Sequence, residues 1–385
     1  MRILILGGDG YLGWPTAIHF SARGDDVLVI DNFAKRRWEL EEGIEPLVKL
    51  PTLHLRVKRW REITGKTIRM EVGDLQNHRF VYGIFEKFQP DAIIHYGEQP
   101  SAPYSMQSRE SAVYTQVNNV VGNLNVMFAI QRHCPEANLI KLGTMGEYGT
   151  PNIDIEEGWL TVNYNGRTDT MLYPKKPQSF YHLSKVHDSH NLEFACRVWG
   201  LRVTDLNQGV VYGIDTDETL LHADFRTSFH YDDVFGTVLN RFMVQAAKGV
   251  PLTVYGTGEQ TRGFLNIRDT IACVALAADN PGAHGDFRVF NQFTEQFSVM
   301  QLAEMVATAG RRAGIDVHID HVENPRVEQE KHYYNAKHSK LVELGLNPHL
   351  LTEQALDAMF AVVRANCDHV DEGFFMPRIK WANRI

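Results

Sequence analysis

Cysteine is scarce: Cys134, Cys196, Cys273 and Cys367 are scattered over 385 residues with no C-x-x-C pair. That excludes a disulfide framework or a thiolate zinc site and points to a reducing compartment. No run of about 18 apolar residues exists, so no helix spans a bilayer. A basic excess is missing too. With 39 Lys and Arg against 47 Asp and Glu, the formal net charge is −8. Nonspecific nucleic-acid binding needs the opposite balance, whereas a small anion held by a few arginines does not. Low-complexity sequence is absent, and the length suits one large domain or two closely joined ones. Met1 runs straight into Ile3-Leu4-Ile5-Leu6 without a charged leader or transit peptide. A cytoplasmic chain is expected, or a plastid-stroma chain if this is a processed mature form.

What is present is alternation. Ile3–Leu6, Val27–Ile30, Ile68–Val72, Ala92–His95 and Asn138–Leu142 read as buried strands, with amphipathic segments such as Val81–Phe88 and Val120–Ile130 between them. This predicts an α/β fold, a Rossmann-like doubly wound parallel sheet with a smaller mixed α/β C-terminal substrate-binding region. The expected division is 1–206 for the cofactor domain, with insertions at 34–66 and 150–178, and 207–385 for the substrate region. There, 215–233 reads as a polar loop, Val238–Lys248 and Ser298–Arg312 as helices, Pro251–Tyr255 as a strand, and the end from Pro348 as mostly helical.

Gly7-Gly8-Asp9-Gly10-Tyr11-Leu12-Gly13 follows the first strand and opens a helical pattern. Glycines at 7, 10 and 13 suit a tight turn, close approach to a pyrophosphate and close helix packing. The helix N-terminus offers unpaired N–H groups to phosphates. About 20 residues on, Asp31 ends the second strand, where an acid accepts ribose hydroxyls and repels a 2′-phosphate. NAD is therefore expected. Asn32 and Arg36 fall on the ribose rim, and Asp74 and Leu75 at the adenine edge.

Thr144 closes the fifth strand, and Tyr181 and Lys185 stand four apart on one helix face. The nearby ammonium favours phenolate, which would let Tyr181 move a proton near neutral pH while Thr144 steadies the substrate oxygen. Taken with the glycine turn, this set resembles the extended short-chain dehydrogenase/reductase superfamily, whose nucleotide-sugar branch holds NAD and oxidises a sugar hydroxyl transiently. Dehydratases of that branch carry two acids after the Thr, where this chain has Met145 and Gly146. Epimerases rarely carry Glu147 or the 150–178 insertion.

A narrower resemblance covers nearly the whole chain. Gly97-Glu98-Gln99, Ser101-Ala102-Pro103-Tyr104-Ser105-Met106, the run 141–158 around Gly143-Thr144-Met145-Gly146-Glu147-Tyr148-Gly149, and Ser179 to His190 are similar to the UDP-sulfoquinovose synthase family. So are 205–213, 289–298, Asn324-Pro325-Arg326-Val327-Glu328 and 332–338. Pro100 departs from it, standing where a basic residue is expected. The resemblance implies that NAD, UDP-glucose and sulfite meet here. C4 would be oxidised, the C6 hydroxyl eliminated, sulfite added at C6 and C4 reduced again, in a homodimer. With the dehydratase acids missing, His182 is the first choice for C5 and C6, because imidazole titrates near neutral pH, and Glu147 the second. Gln99, Met145, Asn207 and Gln260 are expected at the sugar nucleotide, Arg262 and Arg326 at the diphosphate, and Glu328 at the uridine ribose. Gly97, Asn118, Gln208 and Val211 are expected at the cofactor. The alternatives are a UDP-hexose 4-epimerase or related enzyme, and a catalytically silent NAD- and UDP-binding module. Histidines 182, 187 and 190 share a helix, but no carboxylate completes a known zinc spacing, and no metal is expected.

Overall fold

Ile and Leu alternate in the first strand so that Ile3 and Ile5 face one layer of helices and Leu4 and Leu6 the other. Extended over seven strands, that pattern gives a fully parallel sheet in the computed structural model, which describes residues 1–327 and 332–381. The order across the sheet is 287–292, 202–208, 138–144, 92–95, 2–6, 26–31 and 68–72. Helices Gly13–Arg23 and Ile267–Asp279 cover one face; His78–Phe88, Gly122–His133 and Phe180–Trp199 cover the other.

Ile68–Val72 keeps its expected bounds but not its burial. It is the edge strand, paired only to Asp26–Asp31, and much of it beyond Ile68 is exposed. The division at 206/207 cuts through the sheet, because Phe287–Gln292 pairs along its length with residues 203–208. The 34–66 insertion folds as helices Ala34–Glu42 and Leu53–Thr64, and the 150–178 insertion carries a hairpin of Trp159–Tyr164 and Arg167–Leu172. The 215–233 segment is a loop with two short 3-10 turns, but it is less polar in place than in sequence, since Phe225, Phe229 and Tyr231 are buried. The C-terminal end is helical in two pieces. Beyond Pro348 the described residues form the α-helix Glu353–Asn366 and the 3-10 turn Glu372–Phe375, with Pro377 just past that turn.

The remaining part packs helices Val238–Lys248, Val299–Arg312 and Glu353–Asn366 around Phe242, Leu302, Val306 and Phe360. A three-stranded sheet, in the order Glu295–Ser298, Thr261–Asn266, Val210–Tyr212, joins this core to the carboxyl ends of the main sheet.

Candidate active site

The turn after the first strand is built by close approach. Gly7 has φ +88°, and a Cβ there would lie 2.8 Å from the Tyr96 carbonyl carbon. A Cβ on Gly13 would overlap the Gly7 carbonyl oxygen. Helix Gly13–Arg23 starts without a side-chain cap; its Trp14 N–H bonds the Gly10 carbonyl oxygen at 3.3 Å and Pro15 has none, so the Gly13 N–H is what this helix start offers a ligand. Asp31 pins the turn: its carboxylate accepts the Asp9 N–H at 2.9 Å and the Phe33 N–H at 2.7 Å, and burial pushes its carboxyl up to about 6. Each oxygen keeps a lone pair for a hydroxyl. An uncapped helix start, a turn only glycine can make and a cavity-lining acid fit a dinucleotide.

The turn is also clamped from outside. Arg36 grips the Asp9 carboxylate through Nε at 2.5 Å and Nη2 at 3.1 Å, and Nη2 also reaches the Pro51 carbonyl oxygen at 2.7 Å. Arg36 lines the cavity, but its guanidinium is engaged in this clamp rather than placed only at a ribose rim. Arg56, fully buried over the Trp14 ring, approaches Asp9 Oδ1 at 3.4 Å, and burial brings its guanidinium down to about 9. Sequence reasoning missed Arg56, because an arginine in a charged helix reads as surface.

At the carboxyl ends of the strands, where the order reverses between 2–6 and 92–95, lies a cavity of about 730 Å³. It gathers Gly7, Asp9, Gly10, Tyr11, Leu12, Gly13, Asp31, Asn32, Arg36, Leu75, Gly97, Asn118, Gln208 and Val211 with Thr144, Tyr181, His182 and Arg326. Asn118 arrives on a π-helical stretch, Val117–Val121. Asp74 is not on the wall; its carboxylate accepts from Asn32 Nδ2 at 3.1 Å and from the Gln76 N–H. Gln99 is fully buried behind the wall, its N–H given to Asn119 and its amide to the Ser101 carbonyl oxygen. Met145 and Asn207 do not face the cavity either. Met145 packs with Tyr148, Ile155, Tyr173 and Phe293, and Asn207 donates to the Tyr148 hydroxyl at 2.8 Å. Apolar contact and an internal hydrogen bond outcompete exposure at both positions.

Tyr181, Thr144 and His182 converge on one wall. Thr144 Oγ1 accepts the Gly146 N–H at 3.2 Å, and His182 Nδ1 lies 3.0 Å from Ser179 Oγ. The Tyr181 and His182 rings are 5.2 Å apart. A side chain at Gly146 would collide with the His182 ring at Nε2, so glycine there is what admits the imidazole. The Tyr181 phenol departs from the sequence expectation: burial raises it more than the Lys185 ammonium lowers it, and the Glu98 carboxylate raises it further.

Glu147 is overturned as a candidate base. It is fully buried, hydrogen-bonded by Ser189 Oγ at 3.0 Å, 3.4 Å from Lys141 Nζ, and in contact with Lys175. Burial alone would raise its carboxyl; the two ammonium groups overcome that and bring it down to about 2. A carboxylate so stabilised takes no proton near neutrality. Instead its Oε1 accepts the Thr144 N–H at 3.3 Å and holds the strand end in place.

An adjoining cavity of about 240 Å³ contains Gln260, Arg262 and Arg326, and Arg326 lines both spaces. The Arg326 guanidinium lies 5.2 Å over the Trp381 ring, and Arg262 Nη1 is 3.1 Å from His332 Nε2. Two guanidinium groups beside the larger cavity suit a diphosphate. Glu328 lies outside the described residues. Among the described residues, no three His, Cys, Asp or Glu side chains gather as a metal site.

Residues 3–291 match the model of the NAD dependent epimerase/dehydratase family. A chloroplastic UDP-sulfoquinovose synthase of Spinacia oleracea is 56% identical over 380 residues, covering 99% of this chain and 79% of that protein. A UDP-sulfoquinovose synthase of Sulfolobus acidocaldarius is 46% identical, over 90% of this chain and 88% of its own. Among solved structures, a UDP-glucose 4-epimerase from Thermotoga maritima with UDP-glucose shares the fold, with a TM-score of 0.71, 20% identity and coverage of 95% of this chain and 99% of that one.

Proposed function

The chain belongs to the NAD dependent epimerase/dehydratase family and, within it, to the UDP-sulfoquinovose synthases, and from that membership we propose that it converts UDP-glucose and sulfite to UDP-sulfoquinovose. The cofactor is NAD, which when bound accepts the hydride from C4 of the hexose and later returns it. Gly7, Gly10, Gly13 and the start of helix Gly13–Arg23 hold its pyrophosphate, and Asp31 its adenosine ribose. Arg262 and Arg326 hold the diphosphate of the sugar nucleotide.

Tyr181 takes the proton of the C4 hydroxyl, with the Thr144 hydroxyl directed at the same oxygen. The C4 ketone acidifies the C5 hydrogen. His182 removes that proton and delivers it to the C6 oxygen, so the C6–O bond breaks and water leaves. Sulfur of bisulfite then bonds C6 of the enone, and a proton returns to C5. Bisulfite and UDP-glucose thus become UDP-sulfoquinovose and water, with no net oxidation.

The observation that carries this reading is the His182 ring beside Tyr181, seated where a side chain on residue 146 would otherwise stand. The imidazole occupies the room that an acidic side chain on residue 146 would need. The test is incubation with UDP-glucose and sulfite, followed by mass spectrometry for a sulfonated UDP-hexose; UDP-galactose alone would sink the proposal. His182→Ala is expected to keep C4 oxidation and to lose deuterium exchange at C5 from heavy water. Normal exchange in that variant would remove His182 as the base.

A homodimer is proposed as well. Helices Arg109–Gln116 and Phe180–Trp199 lie side by side, with Gln116 bonded to the Phe180 carbonyl oxygen and Phe128 ring-packed on Trp199 at 4.9 Å. With the π-helical stretch Val117–Val121 and helix Gly122–His133 they expose Val113, Val117, Val121, Phe128, Phe194 and Val198, apolar side chains that suit a second copy. Val117→Glu with Phe194→Glu is expected to yield a monomer by analytical ultracentrifugation. A sedimentation coefficient unchanged from the parent protein would place the interface elsewhere.

A further inference from the structure

Lys185 is held from two sides. Its Nζ lies 2.6 Å from the Leu142 carbonyl oxygen and 2.5 Å from Glu98 Oε2, with the two side chains only 4% and 2% exposed. Glu98 reaches this place because its own turn is tight. Its N–H bonds the Tyr96 carbonyl oxygen at 2.7 Å, and a Cβ on Gly97 would press on Leu75 at 2.8 Å.

The charges facing Tyr181 and Lys185 come from several elements. Strand Ala92–His95 and its turn bring His95 and Glu98; strand Asn138–Thr144 and the 3-10 turn after it bring Lys141 and Glu147; strand Arg202–Gln208 brings Asp205; the helix itself carries His182 and Asp188; and Lys175 enters from the insertion. Burial holds the His95 imidazole down to about 4, so it stays neutral, 3.7 Å from Glu98 Oε1. Glu147 and Asp205 each lie 3.4 Å from Lys141, and Glu147 also meets Lys175. Asp188 is pushed well above the usual carboxylate range, by burial first and by the facing Glu98 second. Glu98 is the carboxyl group in direct contact with Lys185.

We propose that Glu98 is a positioning residue, its carboxylate fixing the Lys185 ammonium against the Leu142 carbonyl oxygen and screening Tyr181 from part of that positive charge. The inference rests on reading Tyr181 as the base. Without Glu98 the ammonium acts on the phenol at full strength and is tethered on one side only. The phenol then ionises more readily but accepts a proton less strongly.

The test compares NAD-loaded wild-type protein with Glu98→Gln. Ultraviolet difference titration, with Tyr181→Phe as the blank, is expected to place the Tyr181 phenolate about one pH unit lower in the variant. Where UDP-glucose and sulfite turn over, the acid limb of kcat is expected to move down with it. We expect kcat to fall about tenfold and KM for UDP-glucose to stay within about twofold. Glu98→Asp, which keeps the charge one methylene short, is expected to restore the titration but not the full kcat, and it carries the test if Glu98→Gln fails to fold. A titration and pH profile unchanged in Glu98→Gln, or a kcat unchanged in Glu98→Asp, would overturn the assignment. If the wild-type protein turns over no UDP-hexose, the parent reading fails, while the titration still reports on Glu98.

Discussion

Replacing Tyr181 by Phe is expected to lower turnover roughly a thousandfold, within the usual range for a positioned acid or base. The ring keeps its place: it packs 5.2 Å from His182, and Lys185 stays bound to Glu98 and Leu142 without it. Only the hydroxyl is lost, so NAD content and KM for UDP-glucose are expected to change little. Steady-state kinetics and the absorbance of released cofactor check both. A loss below tenfold would mean that the C4 proton leaves by another route. In the parent enzyme, the raised phenol predicts turnover that climbs with pH above neutrality.

The second large effect is on stability. Lys141, on strand Asn138–Thr144, is fully buried, with Nζ 3.4 Å from Glu147 and from Asp205 and 3.2 Å from Ser189 Oγ. Lys141→Met keeps the volume and removes the charge. Lys175 still meets Glu147, but Asp205 is left with Ser189 Oγ at 2.6 Å and no counter-ion in contact. Stranding a buried carboxylate is expected to cost about 3–5 kcal/mol, read as a lower urea midpoint. The pH dependence has a definite sign. Glu147 falls from 4.5 to about 2 on folding, so its contribution is full above about 4.5 and fades as pH drops towards 2. Protonated carboxyls need no counter-charge, so the gap between parent and variant is expected to narrow on acidification. Lys141→Met with Asp205→Asn is expected to recover part of the loss; equal midpoints for the single variant and the parent would refute the account.

The sheet was legible because its strands are apolar runs bounded by turn residues, and Ile68–Val72 and Ala92–His95 appear with the predicted bounds. Burial was less legible: strand position in the sheet, set by pairing between distant segments, leaves Ile68–Val72 at the edge. The cofactor turn announced itself through its glycines, of which Gly7 and Gly13 leave no room for a Cβ. The partners of Glu147 and Arg36 were illegible for one reason. Each is a charged residue beside the site in sequence, and each is engaged by a partner that only the fold supplies, Lys175 for one and Asp9 for the other. Glu98 went unread as a separate residue because nothing in its local spacing reveals Lys185, 87 positions on.

The last strand of the main sheet, Phe287–Gln292, also sets an order of events during synthesis. Until residue 292 has been made, strand Arg202–Gln208 stands as an open edge with unpaired N–H and C=O groups. The indole of Trp14, next to the cofactor turn, meanwhile lacks its acceptor, the carbonyl oxygen of Phe225. A nascent chain cut at 206 would therefore be no independent cofactor module. Its open strand edge would make it prone to aggregate until the remainder emerges.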